Sequence, residues 1–191
     1  MDKVFFEHVP LNGKILLLLL ASESPKISAE KRMEWAGLAR PDIKTDFLLP
    51  DNYYLYNFDD YDAISISGGS TYLLKRLLDE LELIEKLKKY IRAGGLVYGG
   101  SAGAMILSKD IDNSRPEDNP ELLGQGVSTE GLDLLGGYCV ATHWPICKDF
   151  VMQMHKDKGY KFICLPENTG AWFDTDGKLI KTIGDNIEFI E

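Results

Sequence analysis

Leu96-Val97-Tyr98-Gly99-Gly100-Ser101-Ala102-Gly103-Ala104 is the stretch that decides the fold. A short apolar run breaks abruptly into glycines, a serine and further small residues. Residues 96–98 are read as a buried strand, and Ser101 falls on the turn that leaves it. Gly99-Gly100-Ser101-Ala102-Gly103 fits the nucleophile-elbow pattern G-x-S-x-G. The pattern has a steric basis: a serine on a tight strand-to-helix turn takes a strained backbone conformation that only very small neighbours allow. A helix opening after Ser101 turns its free N–H groups toward the place where an oxyanion would form. A glycine-rich turn chosen for packing or for binding an anion has the same composition. The pentapeptide alone leaves both readings open.

Outward from the elbow, short apolar runs alternate with amphipathic stretches, which predicts a mostly parallel sheet with covering helices. Residues 14–22 are almost all apolar and read as a strand buried on both faces. Residues 4–6 are expected as a short edge strand before it, and 28–39 as a helix with Ser28 as N-cap. Strands are expected at 44–49 and 62–67, the second ending in Gly68-Gly69-Ser70-Thr71. The apolar spacing over 72–91 predicts a helix with a break near Leu83, stopped by Gly94-Gly95. Residues 110–130 are polar and read as a long loop, of a length that is often functional. A strand at 138–142 ends at His143, a helix follows at 148–158, and a strand at 161–166 ends at Glu167. The tail, 171–173, 179–183 and 187–190, reads as antiparallel strands with a turn at Asp176-Gly177. Nothing marks a linker or a repeat. The expectation is one α/β domain over 1–191, with helices on both faces of the sheet and a C-terminal antiparallel hairpin.

In parallel sheets, ligands sit beyond the carboxyl ends of the strands. Gly68-Gly69, Ser101, His143 and Glu167 each fall at or just after the expected carboxyl end of a different strand. Packing alone does not readily arrange that. His143 closes an apolar strand and precedes Trp144-Pro145, a setting for a half-buried imidazole that could serve as base. His8 and His155 are read as surface residues. A base needs an orienting group on its other ring nitrogen. Glu167, fixed at a strand end, and Asp118, in the long loop after the elbow, are the candidates; Asp110 and Asp112 are weaker ones.

The net charge of −9 argues against a nucleic-acid partner, since phosphate binding needs clustered Lys and Arg. The apolar run at 15–21 is too short to span a bilayer, and Asp2 and Glu7 ahead of it leave no positive region of a signal peptide. The three cysteines, Cys139, Cys147 and Cys164, lack the spacing of a zinc site or a redox pair and suit a reducing cytoplasm. No metal and no cofactor is expected, and no membrane partner.

Ser67-Gly68-Gly69-Ser70-Thr71, the block Gly99 to Ala104, Ala141-Thr142-His143 and Leu165-Pro166-Glu167 together resemble the peptidase E family of serine peptidases. These are aspartyl dipeptidases and cyanophycinases on a flavodoxin-like fold similar to class I glutamine amidotransferases. The likeness covers roughly 62–182. It implies Ser101 as nucleophile, His143 as general base, and the N–H groups of Gly69 and Ala102 as oxyanion donors, with Gly68 and Ser70 beside the substrate. For the third residue it points both ways. Peptidase E proper uses an aspartate near the position of Asp118, and cyanophycinase-like members use a glutamate matching Glu167. It also implies a small peptide substrate with an acidic residue on the acyl side, for which Arg115 in the loop is the candidate cation. Ser70 stands where asparagine is usual, and Gly100 where a larger residue is. The oligomeric state stays open, a homodimer among the alternatives. A glutamine amidotransferase would need cysteine at the elbow and a His-x-Glu pair, but Pro145 occupies the position two after His143. The rival from another class is a non-catalytic small-ligand-binding or regulatory protein that keeps this fold.

Overall fold

Residues 15–20 cannot face water on either side, and the chain answers by placing their strand in the middle of a sheet. The computed structural model describes residues 1–116 and 118–191, with the side chains of 25–28 also outside the description. β1 (Lys14–Leu18) lies between β2 (Lys44–Leu48) and β3 (Ala63–Ile66), and β4 (Leu96–Gly99) follows β3, giving the order β2-β1-β3-β4, all parallel. The two-residue period of a strand then divides the run. Leu16, Leu18 and Leu20 meet α3 (Thr71–Glu80), α4 (Ile84–Arg92) and the single turn α5 (Ala102–Met105). Ile15, Leu17 and Leu19 meet α1 (Asp2–His8) and α2 (Pro25–Ala39) on the other face. Each fully buried leucine contributes about 2 kcal/mol by leaving water.

The second half forms separate sheets. β5 (Tyr138–Thr142) and β6 (Lys161–Leu165) are parallel, packed against α6 (Lys148–Lys158). β7 (Gly170–Phe173) and β8 (Leu179–Ile183) make the expected hairpin. β9 (Glu188–Ile190) leaves it and pairs antiparallel with β6 instead. Among the described residues no hydrogen-bonded pairing joins β4 to β5, so the parallel strands fall into two groups beside the elbow.

Two local expectations are corrected. Residues 4–6 lie in the helix α1, where the neighbours Phe5 and Phe6 are both buried, an arrangement a half-buried strand cannot give. Helix α2 begins at Pro25 with Ser24 in the cap position, a proline at the first helical turn needing no N–H partner; the capping role expected of Ser28 falls outside the described side chains. The break expected near Leu83 is present, between α3 and α4, with Glu82 at φ 53°. The 110–130 loop holds two short 3-10 turns, Asp112–Ser114 and Pro120–Leu123, and is closed by a bridge between Asp110 and Glu130. Burial pushes the thiols of Cys139 and Cys164 up to about 11 and about 12, as packing groups rather than reactive ones. Among the described residues no helix is long and apolar enough to cross a membrane.

Candidate active site

The elbow is built by close approach. A Cβ on Gly103 would stand 2.2 Å from the backbone oxygen of Ile66, and one on Gly99 would stand 2.3 Å from that of Gly103. Glycine at both places lets β4 turn into α5 directly against β3. The turn leaves Ser101 at φ 50°, ψ −113°, a conformation that costs a non-glycine residue roughly 1–3 kcal/mol. His143, one residue beyond β5, is also held at positive φ, 56°.

These two backbone kinks bring the side chains together. Ser101 Oγ lies 2.9 Å from His143 Nε2, and His143 Nδ1 lies 2.5 Å from Glu167 Oε1. With the ring proton on Nδ1, His143 donates to Glu167 and accepts from the serine hydroxyl. The register of β5 on β6 sets Thr142 opposite Leu165, and the Trp144 N–H donates to the Leu165 carbonyl at 3.2 Å. His143 and Glu167 therefore leave adjacent strand ends side by side. The Glu167 carboxylate is largely in water, with 73% of its side chain exposed.

The turn after β3 approaches from the opposite side. Gly68 packs so closely that a Cβ there would stand 3.1 Å from Ser101 Cβ. Gly69 is clamped against Ala21, with φ +137° and only 2.2 Å from its absent Cβ to the Ala21 oxygen. Among the described residues the N–H groups of Gly69 and Ala102 have no hydrogen-bond partner. Both stand beside Ser101, where an oxyanion would develop.

Four residues singled out from the sequence have other occupations. Asp118 lines the small cavity with His143, but Nδ1 of the ring is taken by Glu167. Asp118 Oδ2 accepts from the N–H groups of Thr71 (2.6 Å) and Tyr72 (3.2 Å), so it caps α3, where a negative charge is favoured. Ser70 is the N-cap of the same helix, its Oγ accepting from Leu73 N at 3.0 Å, and it borders neither cavity at the site. Arg115 turns away as well. Its Nε and Nη2 donate to Asp112 Oδ1 at 3.0 and 2.5 Å, and it borders neither cavity. Asp110 is buried and accepts from Tyr160 Oη at 3.1 Å, a structural role.

Ser101 and His143 stand between two cavities. A small one of about 170 Å³ is lined by Asn113, Ser114 and Asp118 of the long loop, with Gly69 at its wall. A cleft of about 930 Å³ opens on the other side and runs the length of β4, with Gly68 and Glu167 at its head. Two of the residues bordering these cavities escape a reading by sequence. Arg32 Nη2 reaches to 3.7 Å from where a Gly100 side chain would begin, its guanidinium 5.2 Å from the Trp35 ring. On a charged helix it reads as a solvated residue, and only the fold turns it inward. Asn113 donates from Nδ2 to the Val140 carbonyl at 2.8 Å and is fully buried, with no local signal in its polar loop. His8, expected on the surface, is exposed but packs against Trp172 along the cleft, ring centroids 4.5 Å apart and planes tilted by 47°.

The fold has solved counterparts. A candidate peptidase E protein from Listeria monocytogenes EGD-e superposes with a TM-score of 0.72 at 18% identity, over 100% of this chain and 92% of that one. A peptidase from an acI-B1 Actinobacterium gives 0.61 at 22% identity, over 99% and 80%. Local sequence likeness extends to the pyridoxal 5'-phosphate synthase subunit PdxT. The protein from Ruminiclostridium cellulolyticum is 40% identical over 62 residues, 32% of this chain and 33% of its own, and that from Thermosipho africanus 38% over 61 residues. The match thus spans about a third of the length of these curated relatives. Residues 53–184, which carry the elbow, the histidine strand and Glu167, match the model of Peptidase family S51 as a unit, and by that match over well over half its length the chain belongs to peptidase family S51.

Proposed function

We propose that this chain is a cytoplasmic serine peptidase that hydrolyses small peptides through Ser101, His143 and Glu167 by way of an acyl-enzyme. The observation that carries the reading is the unbroken line of contacts from Ser101 Oγ to His143 Nε2 and from His143 Nδ1 to Glu167. His143 takes the hydroxyl proton as Oγ adds to the scissile carbonyl, and Glu167 holds the ring in the tautomer that makes this possible. The oxygen of the tetrahedral adduct becomes an anion facing the N–H groups of Gly69 and Ala102. As the adduct collapses, the C–N bond breaks and His143 returns the proton to the departing nitrogen. Water then repeats the sequence on the acyl-enzyme and frees the acid. The serine proton leaves on the departing nitrogen and water supplies its replacement, with His143 carrying each in turn, so the cycle calls for no cofactor.

An acidic acyl residue finds no support from Arg115, whose charge is taken by Asp112. Arg32 lines the larger cleft beside Gly100. The test of the proposal is labelling with a fluorophosphonate probe and mapping of the adduct. We expect modification at Ser101, abolished in His143→Ala. A protein that only binds ligands with this fold would not react.

A further inference from the structure

We propose that the departing part of a longer peptide docks on the outer edge of β4 as an added antiparallel strand, so that single residues are removed from the amino end of extended chains. The inference rests on the reading of Ser101 as nucleophile. It begins with the backbone of β4, which among the described residues pairs with β3 and no other strand. Gly100 N donates to Ile66 O at 3.1 Å. Since backbone groups alternate in direction along a strand, Tyr98 also bonds toward β3, while Val97 and Gly99 present their N–H and C=O groups the other way. Among the described residues those four groups have no partner.

The outer edge of β5 differs, because most of its outward backbone groups are taken. On the outer edge of β5, Val140 N donates to Ser108 Oγ at 2.8 Å, Val140 O accepts from Asn113 Nδ2 at 2.8 Å, and Tyr138 O accepts from Lys109 N at 3.1 Å. An uncovered strand edge is a template for any extended backbone that reaches it. The edge of β4 lines the 930 Å³ cleft and leads within two residues to Ser101, so the backbone that reaches it is the substrate's own.

Size and polarity fix which part of the substrate lies there. The 170 Å³ cavity is the smaller of the two and has Gly69 in its wall, so its volume suits one small acyl residue with its carbonyl oxygen beside the donors. The departing nitrogen then sits at Ser101, beyond the carboxyl end of β4, and the chain it heads runs back toward Leu96. That direction is antiparallel to β4. One residue of the departing chain exchanges two hydrogen bonds with Gly99, and the residue two further on does so with Val97. Phe5 and Arg32 on one side and Leu135 and Phe173 on the other wall the added strand.

The experiment measures kcat/KM for Ala-Leu, Ala-Leu-Ala, Ala-Leu-Ala-Ala and Ala-Leu-Ala-Ala-Ala, with a matching series headed by Asp, beside fluorophosphonate labelling of the same preparation. We expect kcat/KM to rise with length by on the order of 10-fold for each residue that pairs, the worth of two backbone hydrogen bonds. N-methylation of successive amides in the departing chain should cost rate at every second position only. Turnover of the dipeptides with no gain from length, or losses without the two-residue period, overturns the docking. Absence of both labelling and turnover overturns the assignment of Ser101, and the docking with it.

Discussion

Ser101 and His143 are both non-glycine residues held at positive φ, and they are the two that must meet at 2.9 Å. The strain belongs to the backbone, so it stays when the hydroxyl is removed. Ser101→Ala should lower kcat by about 10⁴-fold or more with the fold unchanged. Ser101→Gly should be equally inactive but more stable than Ser101→Ala by about 1 kcal/mol, because glycine takes this φ freely. Chemical denaturation of the two variants checks it; equal midpoints would mean the turn is not strained. Glu167→Gln should lower kcat by on the order of 10²-fold, less than the roughly 10⁴ for a buried triad carboxylate, because water already screens this one. Asp118→Ala should instead cost about 1 kcal/mol of stability through the lost cap on α3, with kcat nearly kept. A larger kinetic loss from Asp118 than from Glu167 would reverse the two roles. Arg115→Ala should leave the Asp-Leu to Ala-Leu turnover ratio unchanged, its guanidinium being held by Asp112.

At the scale of elements, the elbow depends on three backbones meeting without side chains between them. Gly103→Ala forces a methyl onto the Ile66 oxygen, which belongs to a central strand and cannot yield as a side-chain tip would. The expected loss is about 1–3 kcal/mol together with activity, read by thermal unfolding and turnover; a stable, active variant would show that α5 can shift. Such features were legible in the sequence because the demand is local: small residues around Ser101, the apolar run of β1, the spacing of α3 and α4. Strand ends were equally legible, which put Gly69, Ser101, His143 and Glu167 on one edge before any coordinates. What was not legible depends on distant partners. Three apolar residues at 4–6 carry no period, and α1 forms because Phe5 and Phe6 find Trp35 of α2 and Tyr98 of β4 on the same face of the sheet. Asp118 could be told from Glu167 only by seeing the open N-terminus of α3 beside it. The gap between β4 and β5 leaves no trace in either strand's own residues.

The whole molecule is acidic, at −9, and its stability at high pH rests on phenols buried without charge. Tyr72 is fully buried under the site and Tyr90 nearly so behind β4, and burial pushes both up to about 12. In the unfolded chain a tyrosine ionises near 10. Below that pH both states hold the proton and the phenols contribute their full stability. As pH climbs from about 10 toward 12, the unfolded chain loses protons that the native state keeps, and stability falls. Each phenol accounts for on the order of 2 kcal/mol across that window. Urea midpoints at pH 8, 10 and 11.5 should therefore hold steady over the first interval and drop over the second. Tyr90→Phe starts lower at pH 8, having lost the bond its hydroxyl donates to the Tyr61 carbonyl at 3.1 Å, but should fall less steeply above pH 10. Midpoints that decline in parallel in both proteins would assign the alkaline loss to growing net charge rather than to these buried rings.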